Sequence, residues 1–148
     1  MHIAFLMDRL DSIKPENETT SHLMYECNQR GHSVYFLEPH DVYIRKNEVV
    51  ARMRNITVPR DLSMKRYWRN LINCLKKDEL IFETITDLDA LFLRKNPPLV
   101  YQTMEFLSWV NDKVFIINST SGQILANSKL YTLNFPDIIS QCPYNKRT

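Results

Sequence analysis

Glycine is almost missing from this chain: Gly31 and Gly122 are the only two in 148 residues. A loop that wraps a phosphate must bring its backbone against the anion, and several glycines make that approach possible. Neither GxGxxG nor GxxxxGK[ST] occurs, so phosphates held by a dinucleotide fingerprint or a P-loop are excluded. Cysteine is scarce too. Cys27, Cys74 and Cys142 are odd in number, widely spaced and without a CxxC pair, which argues against a disulfide framework or a zinc site. No apolar run approaches the roughly 20 residues of a membrane-spanning helix. The opening Met1 to Asp8 meets an acid at once and has neither the cationic lead-in nor the small-residue cleavage site of a signal peptide. A cytoplasmic location with reduced thiols is therefore expected, and the glycosylation patterns at Asn17, Asn55 and Asn118 carry no meaning there. An excess of one charge is also lacking. The net charge is +2 and the cations are scattered, so neither a nucleic acid nor a membrane is expected as partner. The basic stretch Met64 to Arg69 reads as an amphipathic helix with a solvated side.

What is present suits one globular domain: 44% of residues are hydrophobic and 24% charged. Ile3 to Met7, Val34 to Leu37, Ala90 to Leu93 and Val114 to Ile117 are short continuous apolar runs, the pattern of buried parallel strands. Between them, Thr20 to Gln29 and Val100 to Val110 show helical spacing, the first ended by Gly31. Asn118 to Ser121 can cap a further helix from Gly122 to about residue 134. Val42 to Arg45 and Val49 to Val58 flank Lys46-Asn47-Glu48 and read as an antiparallel hairpin whose second arm is an edge strand. Residues 59 to 79 read as a basic helix and a loose connection, and 82 to 88 as a short helix. The expected fold is α/β: a small three-layer, mostly parallel, Rossmann-like sheet with an antiparallel hairpin at its edge. Residues 1–138 form the domain and 139–148 an irregular tail.

In an open parallel sheet, ligands sit beyond the carboxyl ends of the strands. Three segments leave such ends: Asp8 to Lys14, Arg94 to Pro98, and Asn118 to Ser121. They bring acid, cation and hydroxyl to one rim, which suits a small zwitterion, with guanidinium to carboxylate and acid to ammonium. Each also has a purely structural reading: Asp8 as a backbone cap, Arg94 as the partner of a neighbouring acid. Asp78, Glu79, Asp87 and Asp89 precede a strand at the far edge and read as a solvated face. His22, His32 and His40 lack ligand spacing, and no serine or cysteine has the setting of a nucleophile. No catalytic residue and no metal ligand is assigned.

At these same segments the chain resembles the N-terminal domain of bacterial-type glutathione synthetase, the domain that precedes the ATP-grasp in that ligase. The likeness is carried by Ile3 to Asp8 with Ser12-Ile13-Lys14-Pro15, by Glu26 to His32, by Leu37 to Tyr43 and by Val50-Ala51-Arg52. It continues through Asp87 to Pro98, Ile117-Asn118 and Ser128 to Phe135, running from about residue 2 to 138. The resemblance implies a place in a reaction. ATP activates the carboxylate of γ-glutamylcysteine, and the amine of glycine attacks the acyl phosphate. The N-terminal domain walls the peptide pocket and helps subunits associate. By position, Asp8, Ser12, Ile13 and Arg94 would lie on that wall, and Lys129 would reach the nucleotide phosphates. The family's prolines after the first-strand acid and after the fourth-strand asparagine are replaced here by Arg9 and by Ser119-Thr120. The ATP-grasp and its magnesium carboxylates are not in these 148 residues. Hence no cofactor is expected on this chain alone, with ATP and Mg2+ entering only with an ATP-grasp domain, in cis or in trans. A γ-glutamylcysteine or glutathione-like peptide is the expected ligand, held weakly, and the chain is expected to form a homo-oligomer. The alternatives are a stand-alone, non-catalytic binding or dimerisation module and a remnant without a ligand.

Overall fold

The structure, a computed structural model, describes residues 1–9, 18–76, 80–127 and 129–136. Strand β1 (His2–Leu6) lies between β2 (Ser33–Leu37) and β6 (Ala90–Leu93), parallel to both, and β7 (Phe115–Ile117) continues the parallel set beyond β6. Among the described residues four helices complete the framework: α1 (Thr19–Gln29), α2 (Met64–Lys76), α3 (Tyr101–Ser108) and α4 (Thr120–Ala126). Alternation along the strands assigns their side chains to two faces. Ile3, Phe5, Val34 and Phe36 enter one core with Met24 of α1 and with Tyr67 and Leu71 of α2. Ala4, Leu6, Tyr35 and Leu37 enter the other with Met104 and Leu107 of α3. The sheet is thus covered on both faces, which is why its strands are continuously apolar.

The antiparallel part is built around β4 (Glu48–Asn55), the one strand that runs against β1. Strand β3 (Val42–Arg45) joins it through a two-residue turn in which Lys46 and Asn47 have φ of 50° and 65°, the left-handed pair that a tight hairpin needs. Arg54 pairs with Phe36 of β2 and also with Leu80 of β5 (Leu80–Thr84), so those two strands occupy opposite edges of β4. Val50 and Ala51 pair with β3 and with β5 in the same way. Strands β2 and β3 therefore line one edge of β4 in tandem, and a 3-10 turn at Pro39–Asp41 absorbs the extra length between them. Asp41 fixes that turn: its carboxylate accepts from Glu38 N at 3.0 Å and from Arg52 Nη2 at 2.8 Å.

Four expectations need correction. The segment 82–88 is not a helix; it is the end of β5 followed by a 3-10 turn at Ile85–Asp87. Consequently β4 is an inner strand and β5 forms the edge, which Phe82, exposed on β5, disguised as part of a helical face. Strand β7 is not buried: among the described residues it pairs only with β6, and Phe115 is exposed. The helix expected from 122 to 134 is two pieces, α4 and a 3-10 turn at Lys129–Asn134. The irregular tail at 139–148 lies outside the described residues.

Candidate functional site

Because β1, β6 and β7 are parallel and in register, with Leu6 opposite Leu93 and Phe92 opposite Ile117, their carboxyl ends open onto one edge. Asp8, Arg94 to Asn96, and Asn118-Ser119 all emerge there. The backbone of Arg94 remains tied to the sheet through its N–H to Leu6 O at 2.8 Å. Its guanidinium Nε donates to Thr20 Oγ1 at 3.0 Å, on a wholly buried threonine in the first turn of α1. Among the described residues no carboxylate pairs with Arg94. Asp8 does carry its structural duty, accepting from Asn96 N at 3.3 Å. It also pairs with Lys95 Nζ at 3.0 Å, where the Lys95 side chain is only 11% exposed and that of Asp8 41%. Lys95 reaches the Asn96 carbonyl as well. Lys95 carries no sequence signal beyond its membership in the segment, and Thr20 carries none.

Beside this rim lies an open cleft of about 470 Å³, walled on one side by Arg94, Lys95 and Asn96 and on the other by Asn118, Gln123 and Asn127. A cis peptide joins Pro97 to Pro98 in the first wall. The second wall is held by amides. Asn118, with φ of 64°, donates through Nδ2 to Leu93 O at 2.9 Å, and Gln123 Nε2 donates to the same carbonyl at 3.2 Å. Ser119 Oγ caps α4 by accepting from Gly122 N; α4 begins at Thr120, two residues before the expected start. The buried Asn127 Oδ1 has no hydrogen-bond partner among the described residues. Two cations, one partnered acid and a row of neutral amides suit the carboxylates and amides of a small acidic peptide.

Other machinery is not found among the described residues. No group of three His, Cys, Asp or Glu is placed to hold a metal. Only Gly122 borders the cleft among the glycines, and it stands within α4 with Ser119 Oγ 2.7 Å from where a Cβ would be. Cys27 and Cys74 belong to the α1–α2 core, on the other side of the sheet from α3, and burial pushes the Cys27 thiol up from its ordinary value. Asp89 accepts from His2 N at 2.6 Å, tying down the opposite end of β1. No described helix is long and apolar enough to cross a membrane. Ser12 and Ile13 lie outside the described residues, as does the side chain of Lys129. Of the assigned site residues, the structure thus brings Asp8 and Arg94 to one edge.

A doubly covered, mostly parallel sheet with an open, cation-bearing cleft at its carboxyl edge defines a small Rossmann-like α/β domain. The chain belongs to the family of prokaryotic glutathione synthetase N-terminal domains, whose sequence model matches residues 1–122. It is 31% identical over 140 residues to a glutathione synthetase of Coxiella burnetii, covering 92% of this chain and 41% of that protein. It is 28% identical over 144 residues to one of Buchnera aphidicola, covering 95% and 42%, and 27% identical over 150 residues to one of Gloeobacter violaceus, covering 95% and 44%. The chain therefore spans about two fifths of the length of these curated relatives.

Proposed function

We propose that this chain is the substrate-side domain of a cytoplasmic glutathione-synthetase-like ligase, which joins γ-glutamylcysteine to glycine at the expense of ATP and does no chemistry alone. The domain would hold the γ-glutamyl peptide, with Arg94 and Lys95 facing its carboxylates, while an ATP-grasp partner, in cis or in trans, supplies nucleotide and magnesium. Ser12 and Ile13 would complete the peptide wall and Lys129 would reach toward the phosphates. Family membership supports the reading. The single structural observation that carries it is Arg94, seated by buried Thr20 at the cleft wall and, among the described residues, without a carboxylate of its own. A guanidinium positioned by its Nε keeps its outer nitrogens for a planar anion.

Binding of γ-glutamylcysteine is expected to raise the melting midpoint of the chain. Ligand at about 100 times its dissociation constant adds roughly 2.7 kcal/mol of stability. Arg94→Ala is expected to weaken that binding by about tenfold or more, the worth of a charge-assisted hydrogen bond of roughly 1.5–3 kcal/mol. A midpoint indifferent to the peptide, or an equal shift in Arg94→Ala, would refute the assignment.

A further inference from the structure

We propose that Glu18 is a positioning residue for Arg94, acting through the hydroxyl of Thr20 to hold the guanidinium ready for a substrate carboxylate. This rests on the ligase reading and adds to it the support that stands behind the cleft wall. Arg94 lines the cleft, whereas Thr20 and Glu18 are not part of its lining. The three side chains form a row. Arg94 Nε donates to Thr20 Oγ1 at 3.0 Å, and Thr20 Oγ1 donates to Glu18 Oε1 at 3.1 Å. The chemistry of the groups fixes these directions. A guanidinium has donors and no acceptor, an ionised carboxylate has acceptors and no donor, and a hydroxyl carries a single proton. Thr20 must therefore accept from Arg94 and turn its proton to Glu18. The lone pair that meets Nε is thus aimed by the acid two residues earlier.

Glu18 has an ordinary duty open to it and does not perform it. It occupies the N-cap of α1 in extended backbone, with φ of −110°, where an acidic side chain usually accepts from a backbone N–H of the first turn. No such bond is made. The Glu18 backbone is anchored instead, its carbonyl accepting from Ser21 N at 3.1 Å and from Ser21 Oγ at 2.6 Å. The side chain is left to face the hydroxyl behind Arg94. Thr20 is set as firmly: it is wholly buried, and branching at Cβ restricts its χ1. A buried hydroxyl must be satisfied, and Glu18 and Arg94 satisfy it from both sides. Glu18 and Arg94 make no direct ion pair with each other among the described residues. A bidentate pair would occupy the guanidinium fork. The relay engages Nε alone and keeps the outer nitrogens for the ligand.

The test reads Arg94 itself and then its ligand, in the intact 148-residue chain. By nitrogen-edited NMR the Arg94 Nε–H is expected to exchange with water at least about tenfold more slowly than those of exposed Arg66 and Arg69. Thr20→Val, which keeps the shape and removes the hydroxyl, should abolish that protection, and so should Glu18→Ala. Thr20→Ser, which retains a hydroxyl, should restore it. Affinity for γ-glutamylcysteine, measured by calorimetry, should fall about three- to tenfold in Thr20→Val and in Glu18→Ala and recover in Thr20→Ser. In Arg94→Ala the further change Thr20→Val should cost no more affinity, because the hydroxyl acts only through the guanidinium; a merely structural threonine would add its own loss. Unchanged circular dichroism spectra secure the fold of each variant. A fast Arg94 Nε–H in the native chain, protection indifferent to Glu18→Ala, or a Thr20→Val loss that persists in Arg94→Ala overturns the proposal. Protection that responds to both variants, in a chain that ignores the peptide, would refute the substrate reading and leave the relay in place.

Discussion

The hydroxyl of Tyr67 is wholly buried between α1 and α2 and has no hydrogen-bond partner among the described residues, while its ring meets that of Tyr25 edge to face at 5.3 Å. A buried, unsatisfied hydroxyl costs stability that the ring's packing must offset. Removing the oxygen leaves the packing in place. Tyr67→Phe is therefore expected to leave stability unchanged or raise it by about 1 kcal/mol, read as the urea midpoint at neutral pH. Burial, with the Cys27 and Cys74 sulfurs nearby, also pushes the Tyr67 phenol well above its ordinary value. The unfolded chain then ionises first as pH climbs past about 10, so folding binds the proton and stability falls with rising alkalinity. That part of the alkaline slope should be absent in Tyr67→Phe, and equal slopes in the two proteins would contradict the assignment.

At the scale of elements, the turn at Pro39–Asp41 decides how β2 and β3 share the edge of β4. Asp41, 6% exposed at its side chain, accepts from the Glu38 backbone and from half-exposed Arg52, and the buried Thr103 hydroxyl donates to Pro39 O from α3 at 2.8 Å. Asp41→Ala removes the acceptor of the Glu38 N–H and of the Arg52 guanidinium bonds to this turn, and a loss of about 2 kcal/mol is expected, checked by chemical denaturation. A loss under a few tenths of that would show the turn to be held by the sheet alone. The inner strands β1, β2 and β6 were legible because burial on both faces demands unbroken apolar runs, as in Ile3 to Met7. Strand β5 was not, because Leu80 to Thr84 mixes apolar and acidic residues at an edge where no alternation is enforced. Strand β7 misled in the other direction: Phe115 and Ile117 look interior, yet the far side of that strand is open. Helix α1 concealed its buried side by placing Thr20, Ser21 and Asn28 there beside Met24; Asn28 earns its place by accepting from Val58 N at 2.9 Å.

For the molecule as a whole, parallel connectivity alone was enough to predict that Asp8, Arg94 and Asn118 meet at one edge, since strand direction requires it. Which side chains seat the others was beyond reach of the sequence. The Lys95 to Asp8 pair and the Arg94 to Thr20 contact span 87 and 74 residues of chain and depend on loop geometry that no local pattern encodes. The charge-poor segment from Val114 to Pro136 could be read from composition, but the exposure of Leu125, Leu133 and Phe135 within it could not, because the same composition describes a core.

The reversed strand β4 carries one further consequence. Eight residues long, it is gripped along both margins by β2, β3 and β5, so it works as the keystone of the antiparallel half. Amides of Val50 to Arg54 should exchange with deuterium only when the entire fold opens, more slowly than those of β7, which has a neighbour on one side alone. Faster exchange there than at Phe115 to Ile117 would mean that the arch stands without its central stone.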